Sequence, residues 1–267
     1  MRIEVIKDPV IAERGAFLRV SAGDSSVLFD PFPLFSRDAQ SDKNISLSEC
    51  SAFFTGIDAG EHADFTDFSR VRHLAAVYVS AACGEMSDLY GILGGERVSL
   101  QDVKRLKPGK TVVTGGIKVT PYESFGGCFS GMDMLIEADG KRVLYCALPI
   151  DTRGRSKNTY SAYPVKSGVD ALIVNTSVRD GYVRDMENIE KELKRISSSS
   201  ASVVFCYCRE IDIQFLVAAH RACVEDERIF VSDIFSAYAM DKLRKTLKGI
   251  PEFNRKYFRI RFERKQA

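Results

Sequence analysis

The order of its elements makes this sequence an α/β protein. Three observations carry that reading. Strand-like runs joined by short connections fill the first half, strand and helix alternate in the second, and near-unbroken apolar runs such as residues 75–79 suit strands buried on both faces. Strand–helix–strand order, repeated, requires parallel strands with crossover helices.

Strands are predicted at residues 2–6, 16–21, 26–30, 75–80, 111–114, 117–120, 132–137 and 142–146. Asp139-Gly140 and Gly115-Gly116 separate two of these pairs, and both dipeptides supply the positive φ of a two-residue hairpin turn. A strand at 171–175 follows. Met186, Ile189, Leu193 and Ile196 then recur at helical spacing, and four serines at 197–200 read as a loop. Strand 203–207, helix 213–224, strand 228–231 and helix 235–247 come next, the last stopped by Gly249 and Pro251. At the end, Phe258, Ile260 and Phe262 alternate with Arg259, Arg261 and Glu263, the pattern of a half-exposed strand.

Composition bounds the chemistry. With 267 residues, 45% hydrophobic and 28% charged, the chain is an ordinary globular protein that can bury a core without disulfide staples. His62, His73 and His220 show no H-x-H or H-x-x-x-H spacing, which excludes a histidine-rich metal centre on one loop or helix. Seven scattered cysteines with no C-x-x-C read as reduced thiols of a cytoplasmic protein. The charged start is unlike a signal peptide, and no run approaches the ~18 apolar residues of a membrane span. Net charge is +2, but residues 241–267 carry +7 of it against −5 for the rest.

Four segments invite chemistry. The strand Ser26-Val27-Leu28-Phe29 ends in Asp30-Pro31. The strand ending at Ser80 runs into Ala81-Ala82-Cys83-Gly84-Glu85-Met86. The hairpin of residues 132–146 and the run Val169-Asp170-Ala171-Leu172-Ile173-Val174-Asn175-Thr176 follow. In this order they resemble the metallo-β-lactamase superfamily. The second half, with Val203-Val204-Phe205, Arg209-Glu210-Ile211-Asp212, Ala218-Ala219-His220-Arg221-Ala222 and Arg228-Ile229-Phe230-Val231-Ser232-Asp233, is similar to its β-CASP branch of ribonuclease J and cleavage-factor type. The resemblance implies a metallo-β-lactamase-like αββα sandwich in residues 1–178, followed by a partial parallel β-α-β segment in residues 179–267.

The family's metal chemistry does not carry over. Its H-x-H-x-D-H loop falls here on Ala81, Cys83, Glu85 and Met86, its next histidine on residues 122–128, which hold none, and its T-G-D motif on Cys146-Ala147-Leu148. Asn175 stands where the β-CASP branch keeps an acid, whereas Asp30 is retained at a position that buttresses the loop in the family. Catalytic zinc needs three protein ligands and an open position. No metal or other cofactor is therefore expected, and Asp30, Ser80, Cys83, Glu85 and Asn175 are the candidate lining of a vacated ligand cleft. A rebuilt Cys/Glu zinc site, drawing in Cys128 and Cys146, is the alternative. Cys83 as a nucleophile lacks a base, because His73 lies at the far end of the same strand, roughly 30 Å away.

Other features have plainer readings. Gly126-Gly127-Cys128-Phe129-Ser130-Gly131 precedes a strand rather than a helix and fits no phosphate-binding motif. Cys206 and Cys208 pack in a core, His220 sits on a helix face, and His62 lies in a surface loop. The basic end offers Lys245, Lys248, Arg255, Lys256, Arg259 and Arg261 to nucleic-acid phosphates, with Phe253, Tyr257 and Phe258 to stack on bases. A solvated helix and strand face has the same composition. A complete β-CASP protein returns to finish its first domain, but this chain stops first. An open sheet edge invites pairing, so a homodimer or a partner protein is expected. The function expected is a metal-free pseudoenzyme, a binding or regulatory module in RNA metabolism. The alternative is a diverged metal-dependent hydrolase or nuclease.

Overall fold

The computed structural model describes residues 1–7, 16–31, 49–55, 75–93, 103–124, 131–146, 168–174, 186–201, 203–207, 213–247, 249–252 and 256–261. The chain divides into two units, Met1–Gly181 and Tyr182–Ala267.

The first unit holds two sheets. In one, β1 (Arg2–Lys7), β2 (Ala16–Ala22) and β3 (Ser25–Phe29) are antiparallel. The short β4 (Ala52–Phe54), then β5 (Ala76–Ser80) and β6 (Val103–Leu106), extend it in parallel, in simple sequence order. The helix α1 (Ala81–Leu93) is the crossover between β5 and β6 and packs on both. The other sheet runs β11-β10-β9-β8-β7, built from β7 (Val112–Thr114), β8 (Ile117–Glu123), β9 (Met132–Ala138), β10 (Lys141–Cys146) and β11 (Ala171–Val174). Only β11 is parallel to its neighbour.

Both expected hairpin turns form. Asp139 and Gly140 have φ of 51° and 70°, and Gly115 and Gly116 have 52° and 82°. Gly115 also has no room for a side chain, because a Cβ there would collide with Ser25 Oγ.

Side chains alternate along the strands and sort into two faces. Leu18, Val20, Val27, Phe29 and Phe54 of the first sheet share one buried cluster with Val119, Met134, Ile136, Val143 and Tyr145 of the second. The two sheets therefore face each other across an apolar layer, the architecture of a sandwich. Phe17, Leu28, Phe53, Val77 and Val79, on the other face of the first sheet, are buried too, as are Ala82, Cys83, Met86 and Leu89 of α1.

Three elements here go beyond the sequence expectation. Residues 81–86 form the first turns of α1 rather than a loop, and the spacing of Ala82, Met86 and Leu89 is helical. The strand β4 is too short to show a period. In β6, two exposed charges between Val103 and Leu106 hide a strand of the sheet edge.

In the second unit, α2 (Met186–Ser197) packs against α3 (Ile213–Glu225) through Ile189, Leu193, Ala218, Ala219 and Ala222. Lys194 pairs with Glu225 at 3.0 Å across that contact. Then β12 (Phe230–Asp233) and β13 (Phe258–Arg261) form a parallel pair, with α4 (Ile234–Leu243) between them in sequence. That is one parallel β-α-β unit, as expected for this region. The expected strand at 203–207 does not form: these residues belong to no sheet, and Phe205 and Tyr207 are each 91% exposed. The run Val-Val-Phe-Cys-Tyr has strand composition, but that preference is realised only against a paired neighbour. Cys206 is correspondingly exposed rather than packed in a core. Among the described residues no helix is long and apolar enough to cross a membrane.

Candidate functional site

The parallel strands β3, β4 and β5 have their carboxyl ends together at one end of the first sheet, where ligand sites of α/β sheets commonly lie. Asp30, Thr55 and Ser80 sit at these strand ends. The pairing runs one residue past the strands, since Asp30 N–H donates to Phe54 O at 2.8 Å and Thr55 N–H to Tyr78 O at 3.0 Å.

Asp30 is 2% exposed and has φ of 51°, a left-handed conformation that aspartate tolerates better than most residues. The Tyr145 hydroxyl, reaching over from β10 on the opposite sheet, donates to Asp30 Oδ2 at 2.8 Å. Burial first, and the Asp30 charge second, push the Tyr145 phenol well above its ordinary value of 10.0. Tyr145 is therefore a neutral donor throughout the physiological range. Phe29 lies 5.8 Å from the Tyr145 ring and stacks on Phe54, which in turn stacks on Tyr78 at 4.8 Å.

Ser80 ends β5 and caps α1, its Oγ accepting from Cys83 N–H at 3.0 Å. Cys83 and Met86 are buried. Glu85 accepts a 2.7 Å charged hydrogen bond from Arg105 of β6. Gly84 makes that approach possible, since a Cβ there would lie 3.2 Å from Arg105 Nε. At the same end of the second sheet, Tyr122, Asp133 and Cys146 pair across β8, β9 and β10 and share the face opposite Tyr145. Asp133 and Cys146 are wholly buried.

Of the five residues expected to line a cleft, Asp30, Ser80, Cys83 and Glu85 do gather near one end of the sandwich. The first three are buried in packing, capping and hydrogen bonding rather than opened to solvent, and Glu85 is engaged by Arg105. Asn175 lies outside the described residues, as do Cys128, Cys208, His62, His73 and residues 126–130 of the glycine-rich run. Tyr145, Asp133 and Arg105 were not foreseen. Tyr145 had a signal, since a tyrosine on the inward face of an apolar strand needs a hydroxyl partner. Arg105 had none, because its strand was itself hidden.

These residues do not fit the zinc that the family resemblance implies. Among the described residues, no group of three or more His, Cys, Asp or Glu is placed to hold a metal ion. Two of the four loop positions are apolar and on a helix, and Glu85 already neutralises an arginine. What the arrangement offers is a neutral-donor-to-carboxylate link between the two sheets, and among the described residues no base is hydrogen-bonded to a Cys83 or Ser80 nucleophile.

The basic end departs from the expectation at Phe258. Lys245, Lys256, Arg259 and Arg261 are exposed, and Arg259 and Arg261 stand on one face of β13 beside Val231 of β12. Phe258 is on the other face and buried, so it cannot stack on a base. Lys256 sits over the Tyr257 ring at 4.6 Å, and that tyrosine raises its ammonium above the ordinary value. Lys248, Phe253 and Arg255 lie outside the described residues.

Comparison with known proteins places the fold. No protein-family model matches the chain, and no curated protein matches it. Among solved structures, a protein of unknown function from Enterococcus faecalis V583 aligns over 97% of this chain and 73% of its own, with a TM-score of 0.63 at 12% identity. A motif mutant of a metallo-β-lactamase from Cronobacter sakazakii aligns over 65% of this chain and 76% of its own, with a TM-score of 0.42 at 14% identity. Zinc-bound PqqB from Methylobacterium extorquens aligns over 61% and 60%, with a TM-score of 0.38 at 18% identity. The first match shows a shared fold and says nothing of function; the other two are partial likenesses to metallo-β-lactamase-fold proteins. The chain is a mixed α/β protein that shares its fold with the Enterococcus faecalis protein.

Proposed function

We propose that this chain is a metal-free binding or regulatory module built on a metallo-β-lactamase-like sandwich, working in RNA metabolism. The observation that carries this reading is the helix α1. The segment that would be a metal-binding loop is instead a capped helix, with Cys83 and Met86 packed inside and Glu85 paired to Arg105 at 2.7 Å. A di-metal hydrolase needs ligands that orient both the attacking and the leaving oxygen. Here the residues at those positions are spent on stability.

The RNA side of the proposal draws on the exposed Arg259 and Arg261 face of β13, where phosphate contacts would release counterions. Cys50, Cys83, Cys146, Cys206 and Cys223 form no disulfide, which favours a reducing compartment such as the cytoplasm.

Elemental analysis of protein purified without chelator tests the central claim. The expected result is no stoichiometric zinc or manganese, and no cleavage of single-stranded RNA with either metal added. Binding of that RNA should weaken with salt, and the slope should fall by about one for Arg259→Ala. Stoichiometric metal, or metal-dependent cleavage lost in Cys83→Ala, establishes the rebuilt hydrolase site instead.

A further inference from the structure

His220 lies on α3 in the second unit, only 5% exposed, and neither ring nitrogen has a hydrogen-bond partner. Its ring is flanked by Phe230 of β12 and Phe258 of β13, both at 5.8 Å, and those two phenylalanines meet each other edge-on at 5.2 Å. The imidazole therefore fills the contact between the helix and the parallel strand pair. Buried histidines normally bond at least one nitrogen. This one sits against two phenyl rings instead.

We propose that His220 is an acid-sensitive latch: protonating its imidazole releases the β12–β13 pair from α3 and opens the second unit.

Neither ring nitrogen is hydrogen-bonded to a charged group, and the Ser232 hydroxyl, on the Phe230 face of β12, is likewise buried without a bond. On its own helix, Arg221 carries like charge and is turned to Gly249 O and Glu190, Cys223 holds a thiol pushed up by burial, and Glu225 pairs with Lys194 of α2. On α2, Glu190 and Lys194 are thereby engaged. On β12, Asp233 caps α4 through Ser236, and on β13, Arg259 and Arg261 point to the opposite face from Phe258. Past the helix end, Arg228 is bound to Ser199 O and Ala201 O, and Asp226 keeps a buried carboxylate oxygen that bonds no one. A phenyl face attracts a cation, but less strongly than the water an imidazolium loses on burial. Burial, then the Arg221 charge, accordingly hold the imidazole below its ordinary 6.5.

The sign follows from linkage. A group that is neutral in the folded state and titrates near 6.5 when released makes the unfolded state bind more protons below that value. The closed form keeps its full stability above pH 6.5 and loses it as pH falls towards the folded-state value. Between pH 7.5 and 5.0 the opening equilibrium can rise by at most about 30-fold through this one group.

Hydrogen exchange of α3 and β12 amides in the full chain, corrected for the intrinsic pH effect, reads this directly. Opening should rise as pH falls from 7.5 to 5.0 in the natural protein and stay nearly flat in His220→Leu. An equal rise in the variant overturns the latch. Should His220→Leu not fold, the imidazole Cε1–H resonance of the natural protein decides. Titration below 6.5 in step with the opening supports the proposal, and an ordinary midpoint with unchanged exchange refutes it.

Discussion

Asp30 shows how one side chain ties the two sheets together. Its carboxylate is buried, and an unbonded buried charge is costly, so the Tyr145 hydroxyl has more effect than its size suggests. Tyr145→Phe should cost about 1–3 kcal/mol in urea unfolding, because it leaves the carboxylate short of a donor. Asp30→Asn should cost less, since the amide oxygen accepts the same bond and asparagine also tolerates the left-handed backbone. The reverse order would disprove this account. Because Tyr145 is held above its ordinary 10.0, its contribution is complete below pH 10 and is lost as pH rises from there through its folded-state value. Asp30 stood out in the sequence as the residue ending an apolar strand before Pro31. Its partner lies 115 residues away, and only the closing of the sandwich brings the two together.

At the scale of an element, caps and turns matter more than propensity. The helix α4 begins with Asp233, whose Oδ1 accepts from Ser236 N–H at 2.8 Å and whose Oδ2 accepts from Ser236 Oγ at 2.7 Å. Burial pushes this carboxyl up, but the bonds from Ser236 outweigh it and hold it below its ordinary 3.8. Asp233→Ala should therefore cost about 1 kcal/mol at pH 7 by denaturant titration. The sign is that of a depressed acid: the cap's full contribution is present above pH 3.8 and disappears as pH falls through the folded-state value. A difference from Ala unchanged down to pH 2 would contradict it. The hairpins at Gly115-Gly116 and Asp139-Gly140 were legible because positive φ is a local demand. The strand β6 was not, since its pattern reflects an edge position rather than its own residues.

For the whole molecule, the edge of the second sheet bears on assembly. Among the described residues the strand β11 ends the second sheet, parallel to β10, and its Leu172 is more than half exposed. An edge of this kind, with no charge to blunt it, is a template for another strand. We propose a homodimer through that edge. Light scattering behind size-exclusion chromatography should give twice the 29.8 kDa chain mass, and Leu172→Lys should shift it to monomer. A monomer at high concentration in the natural protein would rule the dimer out.

Alternating and continuous apolar runs were enough to establish an α/β chain with most of its strands, because burial on one or both faces leaves a period in the residues themselves. The missing histidines were equally plain. The role of residues 81–86 was not, because the same few residues suit a loop or a helix until a sheet and Arg105 pack beside them. The same holds for Val203–Tyr207, whose residues favour a strand in a place where no strand pairs with them. Pairing, the Asp30–Tyr145 bond and the box around His220 all join residues far apart in sequence, and such contacts leave no local signature.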